Sequence, residues 1–301
     1  MLDQLRHSII ANLVQKINSL VKKRLDILLV EQELCTSRQI AQRLIRAGEV
    51  RVNQQLVDQP ATEVALEAVI EIKARSPFVS RGGEKLAKAL EVFPVVISDR
   101  ICLDGGISTG GFTDCLLQAG AKLVYGIDVG YGQVDWGLRN DPRVILKERT
   151  NIRHLTPDQL YPPEVIANQQ LPTLGVVDVS FISLTKILPA LQRLLEDPQE
   201  LILLVKPQFE VGRDRVGKKG LVKDPVAQAE AIWQVILTAQ DLGWQYSGLI
   251  ASPIRGEKSG NIEYLLWLKT KSEGEAIANQ DSPIITLATI KELTRHELEL
   301  G

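Results

Sequence analysis

Two lysines and two carboxylates are the residues of this chain best suited to chemistry: Lys85, Asp178, Lys206 and Glu263. Asp178 and Lys206 each end a continuous apolar run, at 174–177 and 201–205, and Glu263 opens another at 262–269. Lys85 falls in the first turn of an expected helix over 84–93, where a cation opposes the helix dipole. Taking the proton of a weak acid such as a ribose hydroxyl calls for a neutral amine, whereas an ordinary lysine, near 10.4, is protonated at pH 7. Burial and a second cation lower such a value and a carboxylate raises it, so residue types alone leave the sign open. In the functional reading Lys206, beside Lys85, is the base. Asp178 orients it, Glu263 holds Lys85 or the sugar, and alignment of hydroxyl, methyl and sulfonium supplies much of the rate. An ion-pair network that merely closes a sheet end fits the same four residues, and a solvated lysine fits Lys85.

What positions them is organised around RICLDGGISTGGFTD, residues 100–114. A short apolar run stops at Asp104; Gly105, Gly106, Gly110 and Gly111 follow, and helical spacing resumes through Phe112, Cys115 and Leu116. Strand, glycine turn and helix open a nucleotide-binding α/β sheet. Glycines there let a ligand approach the backbone. The next strand, 123–127, ends on Asp128, an acid about 20 residues past the turn that can accept from ribose hydroxyls. The turn is not G-x-G-x-x-G and no Gly-Lys-Ser/Thr follows, which disfavours a phosphate cradle. An acidic Asp104 suits an amine or sulfonium better than a pyrophosphate. S-adenosylmethionine has both; a dinucleotide site and a ligand-free turn stay open. The third strand, 144–146, leads to a polar end at Glu148–Asn151, where an adenine or ribose could be met, although a plain loop is equally consistent.

The remaining strands are expected at 174–177, 201–205, 246–254 and 262–269, with a helix over 226–242. Apolar runs without alternation suit parallel strands covered on both faces. Ligands of open parallel sheets lie at the strands' carboxyl ends. If the last strand runs antiparallel, Glu263 returns to the rim shared by Asp178 and Lys206. The segment 209–224 reads as a basic loop, and a final helix is expected over 287–300.

With 301 residues and 45% hydrophobic content, two domains and a sizeable core are expected. No apolar run approaches the roughly 18 residues a membrane helix needs. Cys35, Cys102 and Cys115 lack C-x-x-C spacing and read as buried thiols, and the three histidines suggest no metal site. A cytoplasmic location follows. The formal net charge of −2 announces no nucleic-acid partner, so any such reading rests on local charge. Residues 1–20 have helical spacing without a signal pattern, and the segment 1–21 reads as a dispensable extension, with Val21 a possible alternative start.

Residues 22–72 read as a small α+β module of two helices followed by short strands. KKRLDILLVEQ is taken as helical, with Leu25, Leu28 and Leu29 on one face. Ser37 caps the second helix, which closes at Gly48, and a turn at Asn53-Gln54 follows. Between 22 and 51 seven basic residues face four acidic ones. Lys22, Lys23, Arg24, Arg38, Arg43 and Arg46 form either a solvated face or a phosphate-tracking patch. Residues 73–83 read as a linker broken by Pro77 and Gly82-Gly83.

The order K-K-R-L-D-x-L-L-V, then S-R-x-x-A-x-R-L-I-x-x-G-x-V-x-V-N, resembles the RNA-binding domain named after a small-subunit ribosomal protein. This implies docking of a basic helix on structured RNA. LDGGISTGGFTD, NDPRV, ERTNIR, VVDVSFISL, LLVKPQFEVG, GKKGLVKDP and SGNIEYLLWL together resemble the TlyA family of ribosomal-RNA 2′-O-methyltransferases, many of which carry a haemolysin name. The resemblance spans about 22–269. It implies a Rossmann-like α/β methyltransferase over 84–270 with a seven-stranded, mostly parallel sheet, a tail over 271–301, and S-adenosylmethionine as donor. Its partner would be ribosomal RNA or subunits, with a cytidine ribose as target and neither metal nor membrane involved. The Lys-Asp-Lys-Glu tetrad of FtsJ-like enzymes maps onto Lys85, Asp178, Lys206 and Glu263. The donor site maps onto Asp104, Gly105, Gly106, Ser108, Gly110, Gly111, Phe112, Asp128 and Asn151. One departure is Ile107, where the family has a small residue; it is expected to narrow the donor pocket. A pore-forming haemolysin and a non-catalytic RNA-binding protein are the rival readings.

Overall fold

A computed structural model of the chain describes residues 21–72, 77–256, 260–270 and 285–300. The proposed extension over 1–20, the linker residues 73–76 and the tail residues 271–284 lie outside them. The chain divides into two compact units, one ending at Arg75 and the other beginning at Ser76.

In the first unit β1 (Lys22–Arg24) pairs antiparallel with β4 (Glu63–Ala65), and β2 (Val50–Val52) pairs with both β3 (Gln55–Leu56) and β5 (Ile70–Ile72). The helices α1 (Leu25–Glu31) and α2 (Arg38–Arg46) bury Leu25, Leu28, Leu29, Ala41, Leu44 and Ile45 against Val50, Val52 and Val64. Ser37 caps α2 by accepting from the Ile40 amide at 3.3 Å. Asn53 and Gln54 both take positive φ, as a tight two-residue hairpin turn requires. Lys22, Lys23 and Arg24 form a strand, not the head of the expected helix. Arg24 has extended backbone angles, and the helix starts one residue later.

The second unit is built on a seven-stranded sheet: β6 (Ile101–Gly105), β7 (Leu123–Ile127), β8 (Val144–Lys147), β9 (Leu174–Val177), β10 (Glu200–Val205), β11 (Gln245–Ala251) and β12 (Tyr264–Lys269), in spatial order β11-β12-β10-β9-β6-β7-β8. Only β12 runs against its neighbours. Side chains alternate between two cores, as a two-sided sheet demands. Leu201, Leu203 and Val205 face α5 (Leu188–Leu194), α6 (Pro225–Asp241) and α7 (Leu287–Glu299). Ile202 and Leu204 face α3 (Gly82–Val92) and α4 (Gly111–Gln118). Cys102 and Cys115 lie in this second core, where burial pushes both thiols up to about 12. Among the described residues no helix is long and apolar enough to cross a membrane.

Gly82 and Gly83, expected to break the chain, instead open α3. Gly83 is needed for contact, since a Cβ there would lie 2.3 Å from the Phe78 ring. The last two strands are shorter than expected, so Ile254 and Glu263 sit in the connection between them. The basic segment after β10 contains short helical turns at Pro207–Glu210, Arg213–Arg215 and Lys218–Gly220.

Candidate active site

β9 and β10 are parallel neighbours, so Asp178 and Lys206 leave the sheet side by side. The Lys206 ammonium is 2.6 Å from Asp178 Oδ1 and donates to Ser180 Oγ at 2.8 Å. The antiparallel sense of β12 brings Glu263, the residue before it, back to the same edge, where Lys85 Nζ donates to Glu263 Oε2 at 2.6 Å. Lys85 projects from the first turn of α3, and this carboxylate offsets the unfavourable dipole there. The four side chains line one cavity of about 820 Å³. Lys85, Lys206 and Glu263 are buried, so an unpartnered charge in either pair would be costly, about 3–5 kcal/mol for a fully buried pair.

The glycine turn is shaped as much by protein as by any ligand. Gly106, at φ +90°, has no room for a side chain, because a Cβ would come 2.5 Å from the Asp178 carbonyl oxygen. Gly111 is closed off by Ser80 and the first turn of α3, Gly110 by Leu138. The glycines therefore clamp the turn to the Asp178 and Lys85 segments. Ile107 is only 3% exposed and points toward Gly126, in whose missing side-chain space its Cδ1 lies. It packs toward the core and also borders the cavity lined by the tetrad.

A second cavity, of about 920 Å³, adjoins the first along Gly106, Ser108, Asp178, Ser180 and Phe181. Its far wall carries Asp128, Asn151 and Ile152. Asp128 accepts from the Ser108 amide at 2.8 Å and the Gly130 amide at 2.6 Å, which ties the end of β7 to the glycine turn. Asn151, on the same wall, accepts from the Arg153 amide at its Oδ1 at 3.0 Å, which fixes the turn it sits in. Gly111 and Phe112 line the tetrad cavity, whereas Asp104, Gly105 and Gly110 line neither. Asp104 is fully buried beneath the turn: Oδ2 accepts from Thr113 Oγ1 at 2.7 Å, and Oδ1 has no partner among the described residues. Burial pushes this carboxyl up to about 7, against the Thr113 bond that favours its charge.

These features test the fit of S-adenosylmethionine. Each cavity lies within the roughly 300–1,000 Å³ common for ligand sites. The walls offer a carboxylate and an amide at one end and the tetrad at the other, with an orphaned carboxyl oxygen below the turn. The donor set suits an uncrowded cationic ligand without phosphate. Among the described residues no group of three or more His, Cys, Asp or Glu could hold a metal.

Sequence reasoning passed over Ser180, Phe181 and Gln208, all of which border both cavities. Phe181 is 86% exposed at φ +66°, a conformation that costs a bulky L-residue about 1–2 kcal/mol, and its ring sits 5.2 Å from that of Phe209. An aromatic ring three residues after an acid at a strand's carboxyl end was the available signal. Glu210 pins this loop by accepting from Ser183 Oγ at 2.5 Å and the Leu184 amide at 2.8 Å.

The basic residues of the first unit do not form one free set. Arg24 and Arg38 both bond to the buried Asp26, at 3.0 and 2.9 Å, and Lys23 bonds to Glu31 at 2.7 Å. The hydrogen bond from Arg24 leads the effects that hold the Asp26 carboxyl well below the usual range. Lys22, Arg43 and Arg46 are exposed.

The FtsJ-like methyltransferase family matches residues 78–270, and the S4 domain matches residues 23–70. YqxC of Bacillus subtilis (strain 168), named as an rRNA methyltransferase, is 46% identical over 84% of this chain and 88% of its own length. The 16S/23S rRNA (cytidine-2′-O)-methyltransferase TlyA of Mycobacterium tuberculosis (strain ATCC 25618 / H37Rv) is 46% identical over 84% of this chain and 91% of its own. A solved structure from Streptococcus thermophilus, of a protein named for a hemolysin, superposes with a TM-score of 0.67 at 40% identity, covering 92% of this chain and 96% of that one. By these likenesses the chain belongs to the TlyA family of FtsJ-like ribosomal-RNA methyltransferases.

Proposed function

We propose that this chain methylates a ribose 2′-hydroxyl of ribosomal RNA, at a cytidine, from S-adenosylmethionine. The observation that carries the reading is the meeting of both ion pairs and the glycine turn around two adjoining cavities. In the cavity walled by Asp128 and Asn151, these two residues would hold the nucleoside end of the donor. Gly106, Ser108, Gly111 and Phe112 would flank its methionine end, with Asp104, Gly105 and Gly110 shaping the turn from below. When bound, the donor supplies a methyl group on a sulfonium that departs as a neutral thioether.

The protein's own residues do the rest. Lys206 takes the proton of the 2′-hydroxyl as the oxygen attacks, and Asp178 fixes the amine's direction and stabilises the ammonium that forms. Glu263 neutralises Lys85 and keeps it beside the sugar. Phe181, exposed on the wall common to both cavities, offers a face on which a base can stack. Lys22, Arg43 and Arg46 are exposed S4-domain cations that would meet RNA phosphates, with Lys23, Arg24 and Arg38 contributing from their ion pairs. We also assign residues 22–72 and 84–270 as the two working domains, and a cytoplasmic location.

The test is transfer of a tritiated methyl group from labelled donor to isolated 30S and 50S subunits, followed by mapping of the modified nucleotide. A label on a ribose 2′-oxygen is expected. A label on a base, or none on either subunit, would overturn the reading.

A further inference from the structure

Lys206 donates to a second acceptor besides its carboxylate. Its nitrogen lies 2.6 Å from Asp178 Oδ1 and 2.8 Å from Ser180 Oγ. A neutral amine has two N–H bonds and one lone pair, arranged tetrahedrally with its carbon. With one N–H on Asp178 and the other on Ser180, the lone pair has a single direction left. Lys206 is buried, borders the tetrad cavity and has the Phe209 ring 6.0 Å from its nitrogen, so an acceptor hydroxyl in that cavity would meet the amine on its one remaining side. With Asp178 alone, the amine could rotate about its terminal bond and spend much of its time with an N–H, not the lone pair, toward the substrate.

We propose that Ser180 is a positioning residue for methyl transfer, acting through Lys206 by fixing the rotation of its amine. This rests on the reading of Lys206 as proton acceptor. The step balances: the hydroxyl proton moves to Nζ, the oxygen's electron pair forms the new bond to the methyl carbon, and the carbon–sulfur bond breaks with its electrons left on sulfur. The ammonium produced has a third N–H, which lies along the direction the lone pair held.

Ser180 is held in place from both sides. Upstream, the Asp178 carbonyl is wedged against Gly106. Downstream, Phe181 turns through positive φ against Phe209, and Glu210 fastens Ser183 and Leu184. A hydroxyl on a loose loop could not select a rotamer. This one is bracketed within three residues on either side.

The experiment compares Ser180→Ala, Ser180→Thr, Lys206→Ala and the double variant Ser180→Ala/Lys206→Ala of the full chain, using isolated subunits and labelled donor at saturation. Ser180→Ala is expected to lower kcat about tenfold, the worth of one polar hydrogen bond, with KM for subunits and donor affinity by thermal shift unchanged. Ser180→Thr, which keeps the hydroxyl, is expected to recover most of that loss. On the Lys206→Ala background the second substitution should change the residual rate by less than twofold, because nothing remains for it to orient. Wild-type kcat in Ser180→Ala, a loss confined to KM or donor affinity, or a full tenfold effect without Lys206 would each overturn the proposal. Wild-type turnover in the same assay reports separately on the reaction itself, so failure of the underlying reading is not mistaken for failure of Ser180.

Discussion

The carbonyl oxygen of Asp178 lies against the α-carbon of Gly106, so that a methyl group there would stand 2.5 Å from it. The turn expected to cradle a donor and the loop carrying an acid of the tetrad are therefore one packed unit. Gly106→Ala combines that clash with a positive φ, and a destabilisation above about 2 kcal/mol is expected. Donor-induced thermal stabilisation should fall with it. A variant that melts with the wild type and still binds donor would show that the two segments separate freely.

Asp178→Ala and Lys206→Ala are expected to lower methyl transfer by about 10²–10⁴-fold, the usual worth of a placed general base and its orienter. Glu263→Gln and Asp178→Asn are compared alongside, because an alanine at either position would strand a buried lysine. Tritium transfer under single-turnover conditions checks all four variants, alongside donor binding. Turnover within a factor of three of wild type in either alanine variant would remove that residue from the chemistry.

Asp104 makes stability depend on pH. Its folded carboxyl titrates near 7 and an unfolded one near 3.8, so the folded state holds a proton that the unfolded chain has released between those values. Stability should therefore decline as pH rises through this window, by at most roughly 1.4 kcal/mol per pH unit from this group. Asp104→Asn removes the titration, so its melting temperature relative to wild type should climb from pH 5 to pH 8 in the absence of donor. A constant difference across that range would mean that the site ionises without cost.

The S4 unit should behave in the opposite sense. Asp26 is held in its charged form by Arg24, Gln42 and Arg38, so the stability it contributes is present above the ordinary carboxylate range and lost as pH falls through its lowered value. Asp26→Ala is expected to cost the unit about 1–3 kcal/mol, since the two arginines can rehydrate once released. Hydrogen exchange of Leu25–Glu31 and Arg38–Arg46 amides reads this out. Unchanged protection would mean that the four hydrogen bonds to Asp26 are idle.

Arg43→Ala and Arg46→Ala should weaken binding to ribosomal subunits without altering donor affinity. Each should also flatten the dependence of log affinity on log salt by roughly one counterion. A filter-binding salt series decides the matter, and an unchanged slope would take those residues off the phosphate backbone.

Much of the catalytic unit was legible because buried parallel strands appear as unbroken apolar runs that halt at charge. Leu174–Val177 stops at Asp178 and Glu200–Val205 at Lys206, and the sheet rule places both at one edge. What eluded local pattern depends on distant partners. Lys22–Arg24 looks like a helix start because Leu25, Leu28 and Leu29 follow, yet its strand is defined by Glu63–Ala65 far along the chain. Gly82-Gly83 looks like a breaker because the approach of Phe78 and Gly111 is invisible in sequence. Ser180 looks like an ordinary loop serine until the Lys206 amine is seen beside it.

The last strand among the described residues, β12, does not lie at the sheet's margin but slots between β10 and β11. During synthesis β10 must wait with one side unzipped until residues 264–269 have emerged, and Lys85 meanwhile has no Glu263 to pair with. A nascent or prematurely terminated chain thus lacks this ion pair and is sticky, offering a bare interior strand to any second copy nearby.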